Sequence, residues 1–285
     1  MTEPLDRSAP LTARSWLFVP GDRSDRFLKA QASGAGVVVL DLEDAVQGER
    51  KPAARREVVA ALEAGGDYVV RVSALEQEDG RQDIAALVGA SARPVAILAA
   101  KAEEAAAMEA IAHAVGAPVV ALIESARGLE AVSELARSKA VMRLALGAVD
   151  LTLDLGAEPH ADVLAPIRSR LVVASRAAGI AAPLDTPSIE IRQLAHVRDE
   201  AKLAKRFGMG GKLCIHPAQV PEVEAAFRSS EAEAEWAAAV LEAALHEGAA
   251  QFDGQMIDRP VLERARRILA DSAIDADRAP STTLP

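Results

Sequence analysis

Eight short apolar runs, each parted from the next by a longer stretch, constrain this chain more than any other feature. The runs are SWLFVP (15–20), VVVLDLE (37–43), YVVRV (68–72), VAILAAK (95–101), PVVALIE (118–124), MRLALG (142–147), IAAPLD (180–185) and KLCIHP (212–217). Segments of helical period lie between them, at 50–64, 103–115, 127–138, 161–178 and 190–207. Glycines such as Gly116, Gly179 and Gly208 fall where these helices should stop. Strands joined by helical crossovers are parallel, and strands apolar along their whole length are covered on both faces. About eight such units predict an α/β fold, a closed (β/α)8 TIM barrel, with a doubly wound open sheet as runner-up. The expected barrel domain is 1–230. Beyond it, helices at 231–247 and 260–271 joined by GAAQFDGQMIDRP form a C-terminal helical appendage (231–275), followed by a polar tail (276–285) expected to fray.

A net charge of −10 over 285 residues, without a Lys/Arg block, argues against a nucleic-acid partner. No run approaches the ~20 apolar residues of a membrane span. The N-terminal stretch has no apolar signal core. The single cysteine, Cys214, permits no intrachain disulfide, and a cytoplasmic setting is expected.

In such a barrel, chemistry sits where strands end and βα loops begin. Strand two ends in Asp41, Glu43 and Asp44, strand three carries Arg71, and strand four ends in Lys101. Strand five ends in Glu124, strand six runs into Asp150, and strand eight runs into His216. Taken singly, each has a structural explanation: a helix cap, a surface ion pair, a loop-fixing His-Pro. As a set, several acids and two bases converge on one barrel end. The five histidines, 113, 160, 196, 216 and 246, show no paired ligand spacing, so zinc is disfavoured. Carboxylates on separate strands suit Mg²⁺ or Mn²⁺, with Glu124 and Asp150 the best direct ligands. Arg71 is suited to grip a substrate carboxylate through both arms of its guanidinium. GMGGKL (208–213) is a decoy: it lacks phosphate-loop spacing and precedes a strand.

RSWLFVPGDRSDRFLKA, VVVLDLEDAV, VVRVS, ALIESARGLEAV, LALGAVDLTLDLGA, GKLCIHPAQV and GQMIDRPVLERA together resemble the citrate lyase beta-subunit family. That family belongs to the HpcH/HpaI aldolase group, with malyl-CoA and citramalyl-CoA lyases. The resemblance runs from about residue 14 to 270. It implies a Mg²⁺-dependent carbon–carbon lyase cleaving a citryl thioester to oxaloacetate and an acetyl thioester, carried on CoA or an acyl carrier protein. Glu124 and Asp150 fall on the family's metal ligands, and Arg71 on the arginine that holds the 2-oxo acid. The backbone of Ala148 and Val149 falls where that acid lies. Glu43 and Asp44 fall on an acidic pair beside the metal, with Lys101 orienting it. Asp258 falls on an aspartate that closes a neighbouring subunit's site, which implies an oligomer, typically a homotrimer. Three positions depart from the family pattern: Ala100 before Lys101, Ser73 in place of Asn, and Val149 before Asp150. The alternatives are a stand-alone malyl-CoA or citramalyl-CoA lyase, a malate-synthase-like thioesterase, and a non-catalytic subunit of a lyase complex.

Overall fold

The computed structural model describes residues 9–246, 251–252 and 255–278. Eight parallel strands close into a barrel in sequential order. They are β1 (Ser15–Pro20), β2 (Val37–Asp41), β3 (Val69–Val72), β4 (Ala96–Ala99), β5 (Val119–Ile123), β6 (Val141–Leu146), β7 (Ala181–Asp185) and β8 (Gly211–Cys214). The helices are α1 (Ala9–Thr12), α2 (Phe27–Gln31), α3 (Lys51–Glu63), α4 (Glu78–Gly89), α5 (Ala105–Val115), α6 (Ala126–Arg137), α7 (Ala148–Asp154), α8 (Ala161–Ala178), α9 (Leu194–Phe207) and α10 (Val220–Phe227). After them come α11 (Glu231–His246) and α12 (Arg259–Arg278). Ring closure comes from β1, which pairs with β2 on one side and with β8 on the other.

The alternation of strand side chains produces two apolar layers. Trp16, Val39, Val69, Leu98, Val120, Leu122, Leu184 and Leu213 fill the barrel. Leu17, Leu40, Val70, Ile97, Ile123 and Leu144 face outward and pack with helix residues such as Val58, Leu62, Leu135 and Leu171. Arg143 lies fully buried over the Trp16 ring and donates to the carbonyls of Pro10, Ala13 and Ala182. It ties the segment carrying α1 to the sheet. α5 and α8 end at Gly116 and Gly179, with φ of 76° and 72°, a left-handed conformation that glycine adopts without steric penalty.

Two of the boundaries that differ from the sequence expectation have visible reasons. β8 stops at Cys214 rather than 217, because His216 caps a short turn: its Nδ1 accepts the Ala218 N–H at 3.1 Å. His216 is therefore a loop-fixing residue. α9 starts at Leu194 rather than 190, because Gln219 donates to the carbonyls of Ser188 and Glu190 and holds the preceding loop open. Lys212 of the decoy motif is fully buried and bonds Asp185 and the Thr186 carbonyl, while Arg168 takes Asp185 from α8. That lysine is spoken for by a structural carboxylate. Cys214 is fully buried, and burial pushes its thiol up to about 12.

The chain divides into two compact units, residues 1–227 and 228–285. In the second, Ala237, Val240 and Ala265 form a small core with Trp236, Val261 and Leu262. A two-stranded antiparallel pair, β9 (Gln251–Phe252) and β10 (Gln255–Met256), precedes α12. Within GAAQFDGQMIDRP, residues 248–250 and 253–254 lie outside the described residues. α12 continues to Arg278, into the tail expected to fray from 276, and residues 279–285 lie outside the described residues.

Candidate active site

The polar centre forms where β2 and β3 run side by side. Their register places Asp41 opposite Arg71. Asp41 takes the Nε and Nη2 edge of the guanidinium at 2.7 and 2.6 Å, and the pair is buried. The Arg71 fork expected to meet a ligand carboxylate is therefore committed on one edge, leaving the Nη1–Nη2 edge. Nη1 stands 2.8 Å from Glu43 Oε2. Its N–H is not aimed at that oxygen, which accepts no hydrogen bond; the contact is a charge contact. Arg71 also lies 4.8 Å above the Phe18 ring, so one face of the cation is covered. Burial alone would depress the guanidinium, but Asp41 and Glu43 reverse this and hold it above its usual range.

Glu43 follows β2, and its N–H is fixed by Asp41 Oδ1 at 2.9 Å. Burial pushes its carboxyl up to about 7, against the pull of Arg71 and Lys101 and with the push of Asp44 and Asp41. Asp44 itself is exposed. Glu124, just past β5, is buried and pushed up to about 8, first by burial and then by Glu43. The Lys101 N–H donates to Glu124 Oε1 at 2.7 Å, from a backbone held at φ 48°. Lys101 is the only residue other than glycine with positive φ among the described residues. Such a conformation costs about 1–3 kcal/mol and persists where surrounding structure enforces it.

α7 delivers Asp150 in its first turn, close enough that its charge raises Glu124. The approach depends on Gly147: a Cβ there would lie 2.7 Å from Glu124 Oε2 and 2.8 Å from Glu124 Cβ. The Ala148 N–H is taken by Thr186 Oγ1 at 3.2 Å, whereas Val149 is exposed. Asp258 belongs to the second unit, where its Oδ1 accepts the Val261 N–H at 3.0 Å and caps α12.

Glu43, Arg71, Lys101, Glu124 and Asp150 thus gather at the C-terminal ends of β2 to β6. Three contributors were not expected from the sequence: Asp41 as the partner of Arg71, Thr186 as the anchor of α7, and Phe18 beneath the guanidinium. The β2–β3 pairing is the signal that identifies Asp41, and it exists only in the folded sheet.

The donor set suits a hard divalent cation. The buried Glu124 carboxyl, its affinity for protons raised by burial and by the charges of Glu43 and Asp150, favours occupation by positive charge beside it. Among the described residues no group of three or more His, Cys, Asp or Glu could hold a metal ion. A cation here would rest on Glu124 and Asp150 together with water and substrate oxygens, which is the habit of Mg²⁺.

Residues 14–217 match the family described as HpcH/HpaI aldolase/citrate lyase. A citrate lyase subunit beta-like protein of Mycobacterium tuberculosis is 38% identical over 262 residues, covering 89% of this chain and 93% of the relative. A (3S)-malyl-CoA thioesterase of Cereibacter sphaeroides is 35% identical over 281 residues, covering 93% and 97%. Among solved structures, M. tuberculosis CitE in complex with magnesium, acetoacetate and coenzyme A is similar with a TM-score of 0.83 and 36% identity, covering 92% of this chain and 98% of that one.

Proposed function

Because the chain belongs to the HpcH/HpaI aldolase/citrate lyase family, we propose that it is a Mg²⁺-dependent carbon–carbon lyase that cleaves a citryl thioester to oxaloacetate and an acetyl thioester. The observation that carries this is the buried Glu43–Arg71–Glu124 centre, whose two carboxyls are raised to about 7 and about 8. Glu124 and Asp150 would hold Mg²⁺, which would supply Lewis acidity to the substrate.

The chain's own groups supply the rest. The Nη1–Nη2 edge of Arg71 holds the carboxylate next to the reacting carbon. The Val149 N–H is the backbone donor for that acid, since Thr186 occupies Ala148. The Glu43 carboxylate takes the substrate's hydroxyl proton, and a base near pKa 7 is matched to that transfer. The carbinol becomes a carbonyl, the C–C bond breaks, and its electron pair enters the thioester as an enolate. The enolate carbon is protonated by Asp258 of a neighbouring copy. Asp44 and Lys101 tune Glu43 in opposite directions, and Lys101 also holds Glu124 in place through its N–H. The thioester is carried on CoA or an acyl carrier protein. The assembly is a homotrimer in which the appendage, residues 231–275, packs on a neighbouring subunit. The setting is cytoplasmic, supported by one buried cysteine and by the absence of a membrane-spanning helix among the described residues.

The likeness to a malyl-CoA thioesterase favours a second reading, a stand-alone malyl-CoA or citramalyl-CoA lyase or a thioesterase. A panel of citryl-, malyl- and citramalyl-CoA with Mg²⁺ separates them. Oxaloacetate from citryl-CoA supports the first reading. Glyoxylate or pyruvate from the others supports the stand-alone lyase, and free CoA with intact hydroxy acid supports the thioesterase. No turnover together with no calorimetric Mg²⁺ binding would mean a non-catalytic subunit.

A further inference from the structure

A second layer of buried charge lies behind the acid end of β2, outside the reaction described above. Lys51 opens α3 and is 9% exposed. Its ammonium contacts the carbonyl oxygens of Leu42 at 2.7 Å and Glu43 at 3.2 Å, and Ser73 Oγ at 3.2 Å. An ammonium has three N–H donors, so each has a neutral oxygen to meet.

The choice of oxygens is informative. The carbonyls of Leu42 and Glu43 belong to the two peptide groups flanking the Cα of Glu43. One cation thus holds both peptide planes, while Asp41 Oδ1 holds the Glu43 N–H. With φ and ψ of Glu43 fixed, its Cα–Cβ bond has one direction, and from there its carboxylate reaches 2.8 Å from Arg71 Nη1. The third contact joins the end of β3, which carries Arg71, to the end of β2. Ser73 is itself secured: Asp83 Oδ2 accepts its N–H at 3.0 Å, and Arg55 holds Asp83 at 2.7 Å from α3. Ser73 is also where this chain departs from the family's Asn, and its short hydroxyl is what meets the ammonium.

We propose that Lys51 is a positioning residue for the proton-accepting Glu43: it sets the backbone from which that carboxylate reaches the site. The inference rests on the role assigned to Glu43 above. A merely stabilising lysine and a positioning one differ in what they do to turnover when Glu43 is absent.

The test is a double-mutant cycle on the full chain with Mg²⁺ and whichever CoA thioester of the panel is turned over. Lys51→Met should lower kcat about 10- to 100-fold, the scale of a small misplacement of a reacting group. KM should change less than about threefold, because Asp41 still fixes Arg71. In a Glu43→Gln background, Lys51→Met should cost less than about threefold in kcat, since the two residues act as one unit. Lys51→Arg should recover most of the activity. An unchanged kcat in Lys51→Met, or an equal loss in both backgrounds, overturns the proposal. Full activity in Glu43→Gln instead overturns the assigned base, and the inference with it, so the two failures are told apart. If Lys51→Met does not fold, Lys51→Gln, which keeps two donors on a shorter arm, carries the same cycle.

Discussion

Arg71 shows how a buried cation is made usable. Its solvation has been replaced by Asp41 on one edge, Phe18 on one face and Glu43 at the third corner. Removing one member of a buried pair leaves an uncompensated charge, so Asp41→Ala should lower the unfolding free energy by about 3 kcal/mol in urea titrations. Where the variant folds, it should raise KM more than it lowers kcat. The acids make a second prediction. Glu43 and Glu124 hold protons in the folded state, up to about pH 7 and about pH 8, that the unfolded chain has already released. Unfolding free energy should therefore fall as pH rises from the ordinary carboxylate range through that window. Mg²⁺ reverses the preference, so metal binding should release protons there. Melting at about pH 5.5 and about pH 8.5, with EDTA and with Mg²⁺, checks both signs. Equal melting shifts at the two pH values in EDTA would count against buried, raised carboxyls.

At the scale of elements, the site depends on how closely α7 approaches β5. Gly147→Ala would push a methyl group into Glu124, and Mg²⁺ affinity in calorimetric titration should fall about tenfold or more. Gly116→Ala, at the left-handed end of α5, should cost about 1 kcal/mol of stability and leave Mg²⁺ binding intact. The strands, and helices such as α8, were legible because apolar runs and glycine stops are local signals. Glu43, Arg71, Lys101, Glu124 and Asp150 were legible as a set because all lie at strand ends. Asp41 as the partner of Arg71 was not, since cross-strand register is a property of the assembled sheet. Nor were Lys51, Arg55 and Arg168, because a basic residue on a helix ordinarily lies on a solvated face. Here each is buried against the barrel by partners distant in sequence.

At the scale of the molecule, the proposed chemistry draws Asp258 from the second unit of another copy. Mixing Asp258→Asn with Glu124→Gln, each inactive alone, should restore part of the activity after subunit exchange, and light scattering should give the mass of a trimer. No recovery despite confirmed exchange would mean that Asp258 does not act on another copy's site. Cys214, buried at the end of β8 with its ionisation driven up to about 12, is inert to alkylating reagents while the barrel is closed. Maleimide uptake by the native chain then clocks barrel opening, and a cysteine engineered at an exposed position can carry a single fluorophore without the native one being removed.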